Sequence, residues 1–430
     1  MMRALTFKLK LSFFMAVFLF CGSCSVNPVT GEQELSWIDE QWERKTGQQY
    51  YGLQQQAGGG RYLIDPDLSL YVKTVGQRIV PHSRRSTLPY EFVVLNDSSP
   101  NAWALPGGKI AINRGLLLAL NSEAELAAVL AHEIVHADAR HSAQSQELGS
   151  IISLGQVLAS ELLSNAGYNH QVVQQGLTYG GLYGQTRYSR SRELEADLYG
   201  MKYMSAAGYD PRAAISLQKT FVKLSKDSKA DSFSQLFASH PPSQARVDAN
   251  EKTSRTLPLN GERGETRYRQ ELALLRKRQP AYALSDQAKS AISDKKYRQA
   301  ISLAEQAIAI EPMESEFYEV KGAAQAKLDQ ASAALISLDK AVALNNHYYS
   351  PVLRRGILQF DLKAYDLAKQ DLLASVKLAP SQIAFLKLAA IAQHEDNCPA
   401  AKRYLRQALD ASNNNRAAIN QQLTALSNRC

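Results

Sequence analysis

Five residues in the first half of the chain, His132-Glu-Ile-Val-His136, have the types and spacing to hold a metal ion beside a reactive water. Histidines four apart lie on one face of a helix, one turn above the other, so two imidazole nitrogens reach a single ion. Glu133 lies next to them and is placed to act as general base toward that water. A second acidic segment, Glu193-Leu-Glu-Ala-Asp197, offers a third ligand in Glu193. Two histidines, one glutamate and an open position form a standard catalytic zinc set. Asp197 shares a helical face with Glu193 and is suited to orienting a ligating imidazole through its outer nitrogen. This pattern implies one zinc per chain and a metallopeptidase.

Both segments must be helical for this to work. Ser122 followed by Glu125 is a capping box that opens a helix. Leu126, Val129, Leu130 and Ile134 continue it as an apolar stripe at helical spacing. Residues 189–207 also read as a helix, stopped at Gly208. The alternative for the Glu193–Asp197 face is a solvated acidic face paired with Arg190 or Arg192, and Glu195, off that face, reads as solvated. Residues 90–95 are β-rich, and 111–113 follow a Gly-Gly turn. The stretch between the two helices, 148–184, is apolar and glycine-rich. It suits a lid or membrane-touching helical pair over the cleft, or equally a buried structural hairpin.

Several motifs together resemble the HtpX/BepA-like gluzincin metallopeptidases. They are His132-Glu-x-x-His136, Glu193-x-x-Ala-Asp197, and Ser239-His240-Pro-Pro with Arg246 just after. Asn101-Ala-Trp-Ala-Leu-Pro-Gly-Gly108 upstream of the strand-like Lys109-Ile-Ala-Ile-Asn113 belongs to the same pattern, which covers roughly residues 35–255. The resemblance implies that His132, His136 and Glu193 ligate zinc, that Glu133 is the catalytic base, and that an edge strand binds extended substrate through its main chain. An ordinary small sheet covering the helices fits the same residues. Asn101 and the Pro106-Gly-Gly turn shape the cleft wall. By resemblance, His240 lies near the zinc, either filling the open position as a latency switch or stabilising the oxyanion. From spacing alone His240 is a surface histidine in a Pro-rich turn. His82, His141, His170, His347 and His394 have no partner pattern and read as structural or solvated.

The chain has 430 residues, enough for two or three domains, and an ordinary globular composition. Residues 1–23 have the form of a signal peptide: Arg3, Lys8 and Lys10 precede an apolar core at 11–20 that is short for a membrane span. Gly22-Ser23-Cys24 matches the end of a bacterial lipobox, with Cys21 departing from its usual aliphatic residue, so Cys24 is the expected lipidation site. A soluble export product and an uncleaved anchor are the alternatives. Ser25 resembles an outer-membrane sorting residue of a Gram-negative cell. Net charge is +8, mild for this length and without a dense basic block, which excludes a nucleic-acid partner on sequence grounds. A weak attraction to anionic lipid surfaces is compatible with it. Cys398 and Cys430 could pair in an oxidising compartment or stay as two thiols.

Beyond residue 281 the composition turns Ala- and Leu-rich and periodic. Ala300, Ala334, Ala368 and Ala401 recur at 34, 34 and 33 residues, and Ala288, Gly322, Gly356 and Ala389 keep step. This is the tetratricopeptide period, with small residues where paired helices meet. The expected organisation is therefore a leader (1–23), an N-terminal helical segment (24–60), a zinc metallopeptidase domain (61–256), a linker (257–280) and about four repeats (281–430). The fold class is mainly α: an α+β zincin-like domain with a small β-sheet, then an all-α tetratricopeptide solenoid. The implied function is a zinc endopeptidase of the periplasm or outer membrane acting on misfolded or stalled envelope proteins. Its repeats would recruit substrate or, by resemblance, the outer-membrane assembly machinery. The rival is a chaperone or adaptor working through its repeats, with the protease latent.

Overall fold

A computed structural model of the chain describes residues 24–146, 188–226, 230–411 and 415–429. The leader, the 148–184 insertion with His170, and Cys430 lie outside the described residues. Two compact units are present. One holds the chain up to Tyr51 with Asp67–Val94 and Ser99–Glu271; the other holds Gly52–Pro66, Leu95–Ser98 and Leu272 onward.

The chain enters on two short strands, β1 (Cys24–Val26) and β2 (Gln33–Leu35), paired antiparallel. The segment expected to be helical over 24–60 thus opens on a hairpin, and its helix begins at Glu40. Its turn is closed by Asn27, whose Oδ1 accepts from the backbone of Val29 at 2.8 Å. Helix α1 (Glu40–Ala57) follows, then α2 (Pro66–Ile79) and strand β3 (Glu91–Leu95). Strands β4 (Ala102–Leu105) and β5 (Lys109–Asn113) complete a three-stranded sheet in the order β3-β5-β4. β5 is buried along its whole length, as its central place and its Ile-Ala-Ile core require. Residues 102–105 carry little strand signal of their own, since alanine is a poor strand former. Antiparallel pairing of Ala102 with Ile112 and Leu105 with Lys109 makes them a strand nevertheless, and places β4 at an edge.

After α3 (Arg114–Ala119) comes α4 (Glu123–Asp138), the helix carrying the histidine pair. Ser122 caps it, its Oγ accepting from Glu125 N at 3.1 Å. The return bond of the expected capping box falls one residue early, on Asn121 N at 2.7 Å from Glu125 Oε2. The sequence suggests one apolar stripe, yet every residue of α4 is buried. A helix enclosed on all sides must pair its polar groups internally, and at its two ends it does. Glu123 accepts from Tyr71 Oη at 2.8 Å and Tyr209 Oη at 3.0 Å and pairs with Arg267. At the other end, Asp138 accepts from Arg84 N at 2.7 Å, Arg85 N at 2.8 Å and Tyr203 Oη at 2.7 Å.

Helices α5 (Arg190–Ala206), α6 (Arg212–Leu224), α7 (Ser234–Ser239), α8 (Gln244–Ser254) and α9 (Glu265–Glu271) complete the first unit. α5 lies directly against α4. A Cβ on its Gly200 would stand 3.2 Å from His132 N, so a bare glycine is what lets the two backbones come together at the motif.

The second unit is built of antiparallel helix pairs: α10 (Ala273–Ser293) with α11 (Tyr297–Ile310), α12 (Ser315–Ala326) with α13 (Ala331–Leu344), α14 (Tyr349–Asp361) with α15 (Tyr365–Leu378), and α16 (Gln382–His394) with α17 (Cys398–Ala411). A final helix, α18 (Arg416–Arg429), packs on the last pair. Ala300, Ala334, Ala368 and Ala401 are all fully buried between partners. Each pair turns on a non-glycine residue with positive φ, namely Lys295, Asp329, Lys363 and Asp396, so the repeat extends to backbone conformation. α10 begins at Ala273 and carries Pro280 inside it, so the first repeat helix reaches back into the stretch read from sequence as a linker. Cys398 takes part in a disulfide. No helix among the described residues is long and apolar enough to cross a membrane.

Candidate metal centre

The first unit gathers His132 and His136 from α4, Glu193 from α5 and His240 from the end of α7. Each presents a ligand atom, all within 4.8 Å of one another. His132 Nε2 and His136 Nε2 face each other at 3.0 Å. Glu193 reaches both, with Oε2 3.5 Å from His132 Nε2 and Oε1 3.4 Å from His136 Nε2. His240 closes the fourth side, its Nδ1 3.2 Å from His132 Nε2 and 3.1 Å from Glu193 Oε1.

The outer nitrogens explain why the inner ones converge. His132 Nδ1 donates to Asp197 Oδ1 at 3.0 Å, which fixes its tautomer and leaves Nε2 with a bare lone pair. His136 Nδ1 meets His141 Nδ1 at 2.8 Å. Two bare ring nitrogens turned inward at this separation repel unless a proton or a metal ion lies between them. The charges agree. Burial alone would keep His132 neutral, but Glu193 and Asp197 outweigh it and push its pKa up to about 10. Burial would likewise raise Glu193, but the positive field of His240 and His132 holds it well below the usual carboxylate range. A nitrogen-rich donor set with one carboxylate, in surroundings that favour positive charge, fits a zinc ion.

Glu133 sits on the same helix, buried, with Oε1 3.6 Å from His240 Nε2. Its Oε2 makes no hydrogen bond among the described residues. Burial raises its pKa, an effect only partly offset by His240 and His132, so it is a better base than an exposed glutamate. Beside it opens a pocket walled by Ala102, Leu116, Val129, Leu217 and Phe221, so β4 borders the reacting groups.

Three residues have more to do than the sequence reading gave them. Arg246, seen only as part of a motif, is buried and clamps both acids. Its Nε and Nη2 each donate to Asp197 at 2.7 Å, and its Nη1 lies 2.8 Å from Glu193 Oε2. His141, read as structural or solvated, is fully buried against His136, and Glu195, read as solvated, is half-buried with its Oε1 3.5 Å from His141 Nε2. On an unbroken helix His141 would point elsewhere. Arg140, at φ +61°, ends the helix and swings it back, a bend no local sequence signal announces. Tyr188 stacks on the His136 ring with centroids 3.9 Å apart. His82, His347 and His394 lie outside the cluster.

A buried helix with HExxH, a neighbouring helix supplying the acid, and an edge strand alongside define a metallopeptidase domain. More particularly, residues 66–254 match the peptidase family M48. The chain is 32% identical over 199 residues to a putative beta-barrel assembly-enhancing protease of Vibrio cholerae, covering 45% of this chain and 40% of that protein. It is 33% identical over 223 residues to the mitochondrial metalloendopeptidase OMA1 of Schizosaccharomyces pombe (51% and 63%). To the beta-barrel assembly-enhancing protease of Escherichia coli it is 26% identical over 257 residues (58% and 51%). The chain thus spans between 40% and 63% of the length of these relatives. Among solved structures, the first tetratricopeptide domain of human RPAP3 is 25% identical over 28% of this chain and 94% of that one, at a TM-score of 0.27.

Proposed function

We propose that this chain is a zinc-dependent endopeptidase of the bacterial envelope. The observation that carries the reading is the convergence of His132, His136 and Glu193 with Glu133 beside them. Those three residues would hold the metal, which when bound polarises the scissile carbonyl and acidifies water. Glu133, with a free buried oxygen and a raised pKa, takes the proton of the attacking water and delivers it to the leaving amine. Asp197 and Arg246 keep His132 and Glu193 in register. An extended substrate would lie along β4, with main-chain hydrogen bonds giving affinity and little sequence demand.

The setting is supported by the leader and lipobox at Cys24, by the disulfide at Cys398, which suits an oxidising compartment, and by two relatives named for β-barrel assembly. Substrates would be misfolded or stalled envelope proteins, recruited by the repeats directly or through the outer-membrane assembly machinery.

A second reading, latency, is favoured by His240 Nδ1 lying 3.1 Å from Glu193 and 3.2 Å from His132 Nε2, where a fourth ligand would be. In it His240 blocks the open position until a partner withdraws it. The test is the full chain purified in detergent, with metal quantified, incubated with an unfolded β-barrel protein beside Glu133→Gln. About one zinc per chain is expected in both, with turnover falling about 10²–10⁴-fold in the variant. Retained turnover would overturn the mechanism. If the parent is silent but zinc-loaded, His240→Ala separates the remaining cases: a rise in cleavage means latency, and silence in both means an adaptor.

A further inference from the structure

His136 is held from behind by a chain of contacts that runs to the first described residues of the protein. Its Nδ1 is 2.8 Å from His141 Nδ1, and His141 Nε2 is 3.5 Å from Glu195 Oε1. Glu195 Oε1 in turn accepts from Asn27 Nδ2 at 3.2 Å. Asn27 is itself buried in the turn of the β1–β2 hairpin and also donates to Glu34 Oε1 at 3.0 Å. The same hairpin grips the bend that aims His141. Gln144 Nε2 donates to Glu34, and Arg140 reaches Ser25 Oγ at 3.5 Å and the Ile38 carbonyl. Every link lies in the first unit.

The arrangement has one consistent set of protons. If His136 uses Nε2 toward the metal, its Nδ1 carries hydrogen and donates to His141 Nδ1. The remaining hydrogen of His141 then sits on Nε2, facing the Glu195 carboxylate at 3.5 Å, an ion-pair contact longer than a hydrogen bond. A ligating imidazole backed in this way is fixed in tautomer and ring angle. His132 has Asp197 and Arg246 for this task, whereas His136 has the relay.

We propose, building on the metallopeptidase reading, that His141 is a positioning residue for the metal ligand His136. Glu195 and Asn27 back it, so the β1–β2 hairpin is part of the metal centre's support.

The test is zinc affinity of the full chain in detergent, measured by competition with a chromogenic chelator, together with the unfolding midpoint of the metal-free protein. His141→Ala should weaken zinc binding about 10–100-fold while the metal-free midpoint stays near that of the parent. His141→Asn, which restores an acceptor near the Nδ1 position, should recover most of the loss. Glu195→Ala and Asn27→Ala should weaken zinc by successively smaller factors. Unchanged affinity in His141→Ala, or a loss matched by metal-free destabilisation that His141→Asn fails to recover, would overturn the relay. A parent that takes up no zinc would overturn the metallopeptidase reading itself, and the relay with it.

Discussion

The two units solve one packing problem with opposite contents. Against α4, helix α5 closes at Gly200, where a Cβ would lie 3.2 Å from His132 N. In the repeats, α12 closes on α13 at Gly322, where a Cβ would meet Leu338 Cγ at 2.8 Å. What the close approach buries then differs. Between α12 and α13 it is Ala334, Leu338 and Ala341, a matter of volume. Between α4 and α5 it is His132, Glu133, His136, Glu193 and Asp197, a matter of charge. Volume can be matched by local sequence and copied every 34 residues. Buried charge must be matched by a particular partner, and here the cation comes from a third helix, α8, in Arg246. The repeated unit is therefore periodic and self-sufficient, and the metal unit is assembled once from distant pieces.

Removing that cation should break the comparison hardest. Arg246→Ala leaves Asp197 and Glu193 buried with one positive partner fewer, and stripping one member of a buried ion-pair network costs about 3–5 kcal/mol. Chemical denaturation of the metal-free chain reads this directly. Zinc supplies the missing positive charge, so the penalty should shrink in the zinc-loaded protein. An equal penalty with and without zinc would mean that Arg246 acts by packing alone.

Crowding the two glycines comes next in size. Valine at either position overpacks a tight helix contact, at about 1–3 kcal/mol. Gly322→Val should loosen the repeats and leave zinc affinity unchanged. Gly200→Val should displace the His132 backbone and weaken zinc as well, as chelator competition would show. Equal effects on zinc from both substitutions would sink the claim that the units carry separate burdens.

How much of this is legible in the sequence follows the same line. The period of the repeats, their small residues and their helix pairs can be read off because each is local or strictly repeated. HExxH and the acidic segment are legible because helical spacing alone puts Glu193 and Asp197 on one face. β4 was hidden because Ala102 and Ala104 become strand only through the pairing of residues 102–105 with β5. The work of His141 was hidden because it depends on Arg140 at φ +61°, and that of Glu195 because its partners Asn27 and His141 lie far along the chain. The N-terminal hairpin escaped notice for the same reason, since nothing local separates it from the start of α1.

The smallest effect sharpens the comparison from the other side. The repeats also hold an arginine with two acids: Arg355 pairs with Asp371 at 2.7 Å and Asp339 at 2.8 Å. By connectivity this copies the Arg246 clamp, one guanidinium on two carboxylates. The surroundings differ, for Asp339 is largely exposed and Arg355 keeps about a fifth of its side-chain surface in water (61% and 22% relative exposure). Water solvates Asp339 once the arginine is removed, so that pair is worth little, about 0–1 kcal/mol, whereas Asp371 stays buried and keeps part of the cost. Arg355→Ala should therefore shift the denaturation midpoint less than Arg246→Ala does, and the share that comes from Asp339 should weaken in high salt. The Arg246→Ala penalty should persist there, because its partners are shielded from solvent ions. If raising salt erased both penalties alike, burial would not be what separates the two clamps, and the contrast between a unit built on charge and one built on volume would fail with it.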